Sequence, residues 1–532
     1  MKNIKILSIA VLIPLVTACS DKLDTSPEDY FGANNYWTTT AQVEGFMQSI
    51  ANDVRNITFN HTIRFGELGS GIYRDSIGSN GNQLDDVSIR YHILGAAVPG
   101  VEAWGGYYSA IADANLFIQK VENINFMDES EKNYLLAEVY GIRAMYYFDL
   151  YRIYGGVPLR LRADVAADGV TDVNSLYLAR ATATKTMEQI LSDVNMSIQL
   201  FGNQKDFNPY KMGKKCYWNK AASQCLAAEI HLWNAKVSVG DFDANPSEIS
   251  LAEELLKEVE TGYGLALQDD FANVFSTANK ANDEIIFAVR YEEGEDLNSN
   301  DKWLYPTAVG FTINEAYDVD GNKFGDKLQL VSGTNQVYEY IPQMFLQYDE
   351  ADTRALATFT NTYRKLDDGT LKIEGNLCTK NIGAINSSGK RVQNGDYIYY
   401  RLPWVYLSLA EIYNYTGDNA KVQSYINKVR ARAYADQWDE ATYGYTSGTF
   451  ADNELAILAE KDKEFVQEGQ RWWDLRRMQL NKGDESTHLV FRAEASKKGV
   501  AELSSTNAFR VLWPISTTIR ANDPLIEQNP GY

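Results

Sequence analysis

A mainly α-helical fold is predicted for this 532-residue chain by three observations. Apolar residues recur at 4-3-4 spacing in several long stretches, small residues run beside them, and one stretch turns into the next across a glycine. Leu135, Val139, Ile142 and Tyr146 form the first apolar stripe, with Ala137, Gly141 and Ala144 alongside. Leu226, Ile230, Trp233 and Val237 repeat it, accompanied by Ala221, Cys225 and Ala228. Val405, Leu409 and Ile412 open a third helix that ends at Thr416-Gly417-Asp418, and Val422, Ile426 and Val429 begin its partner. That pair is a helical hairpin with a glycine cap.

Similar triplets recur in these helices: Ala137-Glu138-Val139, Ala228-Glu229-Ile230 and Ala410-Glu411-Ile412. Small residues on one face let helices approach closely, as tetratricopeptide hairpins require. The copies are spaced far beyond the roughly 34 residues of a regular array, so the hairpins read as a degenerate set separated by insertions.

The chain opens with Lys2 and Lys5, runs apolar from Ile6 to Val16 and reaches Val16-Thr17-Ala18-Cys19. A positive start, an apolar run and small residues before the cut describe a signal peptide over 1–18. The cysteine resembles that of a lipobox, which makes Cys19 the acylated first residue of the mature chain, 19–532. Ser20-Asp21-Lys22-Leu23-Asp24 is similar to an acidic tag that sends lipoproteins to the outer face of the outer membrane. The expected location is the cell surface of the outer membrane, lipid-anchored through Cys19. An acyl anchor holds a soluble domain at about 0.8 kcal/mol per buried methylene.

The helical scaffold is expected over about 36–290 and 400–532, with an irregular region between about 290 and 400. Turn signals cluster in that region at Asp320-Gly321-Asn322, Gly333-Thr334-Asn335, Asp367-Asp368-Gly369 and Ser388-Gly389. Glu284 to Arg290 and Thr358 to Tyr363 suit strands or extended segments. Loops carried on a rigid scaffold are a natural place for ligand contacts. Residues 60 to 105, rich in glycine with isolated aromatics, have the same character.

A hydrophobic share of 45% and ten tryptophans suffice for a large core. No later segment reaches the roughly 18 to 20 apolar residues of a transmembrane helix. The net charge of −21 opposes nucleic acid binding. Thirty-four tyrosines exceed what a core requires, since a buried phenol wants a partner. Beyond Cys19 an odd number of cysteines remains, Cys216, Cys225 and Cys378, so no complete disulfide framework exists. Cys216 and Cys225 read as members of one helix, about 13 Å apart along its axis and beyond disulfide reach.

The catalytic inventory is thin. His61, His92, His231 and His488 are scattered without a zinc signature, and no nucleophile elbow or phosphate-cradling loop occurs. Two carboxylates suffice for a glycosidase, but nothing among the 71 acidic residues points to such a pair. Asp318-Val319-Asp320-Gly321-Asn322 places its glycine fourth, not sixth as in an EF-hand loop, so it reads as a hairpin turn. We expect no enzyme, no cofactor and no metal.

The C-terminal third carries the decisive motifs. Glu464-Phe465 and Glu468-Gly469-Gln470-Arg471-Trp472-Trp473-Asp474-Leu475-Arg476-Arg477 resemble the signature helix of the SusD/RagB family, and Leu525 to Tyr532 resemble its terminus. Leu23 to Glu28 with Tyr36-Trp37, Trp104 to Asn115, and Arg143-Ala144 through Gly155-Gly156-Val157-Pro158 match earlier family segments in order. Trp513-Pro514-Ile515-Ser516 departs where the family often has a second proline. By spacing, Glu464, Glu468 and Arg471 pair along one helical face, and Phe465, Trp472 and Leu475 form an apolar seam. These residues are expected to hold hairpins together rather than touch ligand.

The resemblance implies a SusD-like fold on those hairpins and a surface lipoprotein that binds and does no chemistry. It would sit as a lid over a SusC-like TonB-dependent transporter and hand it oligosaccharides or, in the RagB manner, peptides. Sugar recognition needs flat aromatic faces and planar polar groups, and hydrogen bonds to charged groups are the stronger ones. The resemblance points to Tyr73-Arg74-Asp75 with Trp104 behind it, and to Trp303, Tyr305 and Tyr317 as a stacking arc. Packing under a loop is the alternative for each.

Overall fold

The computed structural model describes residues 36–75, 87–97, 104–211, 214–298, 315–329 and 338–532. Helix makes up 51% of the described residues and strand 9%, the mainly α architecture that the stripes predict. Cys19 and the signal segment lie outside the described residues, as do Gly333-Thr334-Asn335, Trp303 and Tyr305.

The first six long helices are α1 (Thr40–Phe59), α2 (Trp104–Val121), α3 (Glu129–Tyr154), α4 (Ala183–Phe201), α5 (Lys220–Asn234) and α6 (Glu248–Gly262). Four more follow: α7 (Leu402–Thr416), α8 (Asn419–Tyr434), α9 (Phe450–Glu464) and α10 (Arg471–Arg477). Each packs mainly on its neighbours in sequence: α2 on α3, α3 on α4, α5 on α6 and α7 on α8. Contacts of α6 and α9 with α7 join the C-terminal helices to the rest.

Local chemistry sets the helix ends. Thr39 and Gln42 close a capping box at the start of α1, and Asp128 accepts from Ser130 N–H and Glu131 N–H at the start of α3. Between α7 and α8, Gly417 takes φ +87° and donates to the carbonyls of Tyr413 and Asn414. Asp418 then caps α8 through Lys421 N–H.

Helix α3 is the axis of the core. From Tyr134 to Tyr154 every residue but Tyr140 is buried, so its apolar stripe is one side of a helix surrounded on all sides. Gly141 meets a requirement of packing, because a Cβ there would lie 2.1 Å from Trp218 Nε1. In α5, Leu226, Ile230 and Trp233 are buried as their spacing predicts, whereas Val237 is buried beyond the helix end.

Two expectations are corrected. Cys216 is not in a helix with Cys225, since α5 begins at Lys220. The signature segment is not one helix either. It breaks after Glu464 and resumes at Arg471, with Gln467 at φ +66° and Gly469 at φ +72°. Tertiary partners outcompete the helical ones: Gly469 N–H donates to Glu67 Oε1 and Trp472 N–H to the Gly66 carbonyl. Glycine is needed on both sides, since a Cβ on Gly66 would lie 2.1 Å from Gly469 O. Glu464, Glu468 and Arg471 consequently do not pair along one face. Glu464 faces Arg354, Arg401 and Arg432, Glu468 faces Lys380 and Arg401, and Arg471 faces Asp462.

The strands are β1 (Tyr73–Asp75), β2 (Ile285–Val289), β3 (Tyr338–Tyr340), β4 (Phe359–Lys365), β5 (Leu371–Cys378), β6 (Ala384–Ile385), β7 (Arg391–Val392) and β8 (Tyr397–Arg401). They pair antiparallel as β1–β3, β2–β8, β4–β5 and β6–β7. The β2–β8 ribbon is wholly buried and runs directly into α7. Gly369 (φ +85°) turns β4 into β5, and Gly389 (φ +74°) turns β6 into β7, where the sequence places turns.

Candidate functional site

The predicted binding residues are carried by β1 and the irregular region. In register, β1 sets Tyr73 opposite Tyr340, Arg74 opposite Glu339 and Asp75 opposite Tyr338. Alternation along the strand then separates the first two side chains.

Tyr73 turns inward and is buried. Its hydroxyl donates to Glu67 Oε2 at 2.5 Å, the Tyr340 hydroxyl donates to the same oxygen at 2.7 Å, and the two hydroxyls lie 2.7 Å apart. Burial raises the Glu67 carboxyl above its ordinary range, and the two phenols with Gly469 N–H oppose that shift. Tyr73 is therefore a core residue beneath β1, with no ring face toward solvent. Trp104 is buried as well, 5.2 Å from the Tyr108 ring and 5.0 Å from that of Tyr154, at the start of α2.

Arg74 turns outward, with 31% of its side chain exposed. Its Nη2 donates to Glu339 Oε1 at 3.1 Å and to the Glu374 carbonyl of β5. Glu339 also accepts the Asn376 N–H at 2.8 Å, which ties the β1–β3 ribbon to the β4–β5 hairpin. Gly375 permits that contact, because a Cβ there would lie 2.6 Å from both Glu339 Oε1 and Thr362 Oγ1.

Tyr317 joins the same hairpin from the other side. Its N–H and carbonyl exchange hydrogen bonds of 2.8 Å with Tyr363 of β4. Its half-buried ring has the Lys323 ammonium 4.3 Å and the Lys365 ammonium 5.8 Å from its centroid. Asp318 accepts from Asp320 N–H and Asn322 N–H, and Gly321 (φ +80°) completes a turn that returns the chain to Lys323. That segment is the hairpin turn the glycine position predicts.

The structure thus brings Arg74 and Tyr317, 243 residues apart by their numbers, onto one small β assembly. It also adds residues that the sequence reading missed. Asn376 faces Asn361 across the β4–β5 ladder, is 1% exposed, and its side-chain amide makes no hydrogen bond among the described residues. Asn361 Oδ1 and Arg74 Nε are likewise buried without partners among the described residues. Unsatisfied amide and guanidinium atoms are costly unless something pairs with them. No local signal marks these asparagines, because only the hairpin register sets them opposite each other. Asp75 is placed by its register alone, and Trp303 and Tyr305 lie outside the described residues.

The remaining chemistry is structural. His61 Nδ1 lies 2.7 Å from Asp149 and His231 Nδ1 lies 2.5 Å from Glu248. Burial lowers His92 and His488 to about 4, so both are neutral at physiological pH. Among the described residues, no group of three or more His, Cys, Asp or Glu is arranged to hold a metal ion. Cavities of about 370 Å³ beside α1 and about 620 Å³ under the C-terminal tail are lined by other residues than Tyr73, Arg74, Trp104 or Tyr317.

Comparison with known proteins agrees with this architecture. A family model described as "SusD family" matches residues 283–532, and one described as "Starch-binding associating with outer membrane" matches residues 25–232. A solved SusD superfamily protein from Bacteroides fragilis is 48% identical, with a TM-score of 0.88 over 93% of this chain and 100% of its own. NanU of B. fragilis is 28% identical, with a TM-score of 0.78 over 96% and 100% of the two chains. SusD-like protein P38 of Formosa agariphila is 22% identical over 553 residues, 100% of both chains. With both halves matched and a solved relative aligned along its whole length, the chain belongs to the SusD family.

Proposed function

We propose that this SusD-family protein captures glycans at the cell surface, anchored in the outer membrane through Cys19, and passes them to a SusC-like TonB-dependent transporter. The class of ligand is supported by the starch-binding, outer-membrane-associating family model over residues 25–232. The observation that carries the site is the grouping of a partly exposed guanidinium and a half-buried phenol ring on one β assembly: Arg74 and Tyr317. A sugar ring offers an apolar face to the phenol and hydroxyls to the guanidinium. In this reading Trp303 and Tyr305 supply further stacking rings, and Asp75 supplies a carboxylate. Tyr73 supports the site from the core, and Trp104 packs with Tyr108 and Tyr154.

The test is a glycan array probed with the purified protein, followed by titration of a bound glycan against Tyr317→Ala, Trp303→Ala and Tyr305→Ala. Loss of a stacking ring with its buried area is expected to weaken binding by about tenfold. Binding of extended peptides with no glycan bound would replace this reading with peptide capture. Unchanged affinity in all three variants would remove the site.

A further inference from the structure

Helix α10 carries three arginines within seven residues, and they are not equivalent. Arg471 pairs with Asp462, and Arg477 pairs with Glu411 and Asp474. Arg476 faces no carboxylate among the described residues. It is 3% exposed, and its Nη1 donates to the Arg152 carbonyl at 2.5 Å. Its other guanidinium nitrogens make no hydrogen bond within the described residues. The nearby cation, Arg152, is already matched by Asp149 and Glu229. The Arg476 guanidinium carbon lies 5.0 Å from the Trp233 ring and 5.7 Å from that of Trp473. Burial and then Arg152 pull its pKa down to about 9, the mark of a cation held without a counter-ion.

Arg476 borders a cavity of about 410 Å³. Apolar side chains form much of its wall, among them Val237, Val239, Val490, Phe491, Val511 and Leu512. Among the described residues no carboxylate of the lining forms an ion pair with Arg476. Glu485 lines the cavity, but its carboxylate is taken by Ser238 N–H at 3.0 Å and Ser238 Oγ–H at 2.6 Å. His488 is neutral, with Nε2 3.0 Å from the Lys236 carbonyl. A buried, unpaired cation beside an apolar chamber is costly as it stands, and an anion with an apolar body would satisfy both features at once.

We propose that this cavity, between α10, the segment after α5 and the Ser505–Val511 turn, binds an organic monocarboxylate. Its carboxylate would lie on the Arg476 guanidinium, whose planar fork suits that group, and its hydrocarbon part would lie against the valines, Phe491 and Leu512. The site is separate from the Arg74–Tyr317 assembly and does not depend on the glycan reading.

Octanoate and 3-phenylpropionate are the probes, each titrated calorimetrically into the purified protein beside its uncharged primary amide. At least one acid is expected to bind saturably in a one-to-one complex, at least about tenfold tighter than its amide. Arg476→Met should abolish the preference for the acid. Ala508→Trp, at the exposed rim, should weaken binding about tenfold or more while leaving the circular dichroism spectrum unchanged, and it carries the test if the Met variant does not fold. The proposal is overturned if neither acid binds at millimolar concentration, if acid and amide bind alike, or if acid binding survives in every variant that folds.

Discussion

Arg401 and Glu464 are 63 residues apart in sequence and 2.5 Å apart in the interior, Nη1 to Oε1, with neither side chain exposed. Arg354 and Arg432 bring two more guanidiniums to Glu464, while Glu284 and Glu468 return carboxylates to Arg401. The network joins the end of β8, α8 and the break after α9. Burial alone would raise the Glu464 pKa; Arg432, Arg401 and Arg354 overcome it and hold the carboxyl well below its usual range.

Removing one member leaves the others buried and uncompensated. Arg401→Met is therefore expected to cost about 3 to 5 kcal/mol of unfolding free energy. Urea unfolding followed by circular dichroism measures it, and a loss near zero would mean the network is neutral to folding.

Two buried glutamates should respond to pH with opposite signs. Glu464 has a depressed folded pKa, so its contribution is complete above its ordinary value of 4.5 and falls away as the pH drops below that value. Burial raises the Glu138 carboxyl well above the same value, so the folded protein holds a proton that the unfolded chain releases. The contribution of Glu138 to stability then declines by about 1.4 kcal/mol per pH unit from 4.5 up to its folded pKa. Glu138→Gln should be more stable than wild type at pH 7.5, with the gap closing toward pH 4.5. Melting curves across that range check both slopes, and a Glu138→Gln gap that ignores pH would show the carboxyl to be ionised in the fold.

Two helical glycines should respond to alanine in opposite ways. Gly141→Ala drives a Cβ to 2.1 Å from Trp218 Nε1 and 2.9 Å from Ser197 Oγ, an overpacking that should cost about 1 to 3 kcal/mol. Gly106, exposed in the first turn of α2, has no atom within 4 Å of an added Cβ. Gly106→Ala should stabilise by about 0.4 to 1 kcal/mol through the unfolded state. Differential melting of the pair checks the contrast.

Trp472 and Tyr317 should separate stability from binding. Trp472 is 3% exposed, stacks 5.0 Å from the His92 ring and lies under Gly69. Trp472→Ala should cost about 3 to 5 kcal/mol. Tyr317→Ala, with a half-buried ring on a small hairpin, should change the melting temperature little while weakening glycan binding. A fully stable Trp472 variant would show that the side chain is not part of the core.

Cys19→Ala should release the protein from the membrane fraction and abolish palmitate labelling. Retention of both in the variant would place the anchor elsewhere.

The helical scaffold was legible because its signals are local. Stripes such as Leu226-Ile230-Trp233 and the Gly417 cap act within a few residues, and all the helices they announce are present. The signature segment was legible as buried but not in its shape. Its spacing fits one helix, and the break at Gln467 and Gly469 exists because Glu67 and Gly66, about 400 positions earlier, supply competing hydrogen bonds. The candidate site was half legible. Arg74 and Tyr317 fall on one assembly, but Tyr73 and Trp104 are buried in the core, and which side of β1 faces inward was fixed by its pairing with β3.

By itself the sequence determined the helical class, the turns at Gly369, Gly389 and Gly417, and the family, since each rests on short-range periodicity, backbone preference or ordered motifs. Only the tertiary structure decided which charges meet. Among the described residues, Arg401 finds Glu464, Asn376 is left facing Asn361 without a partner, and Arg476 is buried with no carboxylate while Arg477, one residue on, has two. Electrostatic partnership depends on distances of a few ångströms between segments far apart in the chain, and no spacing along a single segment encodes them.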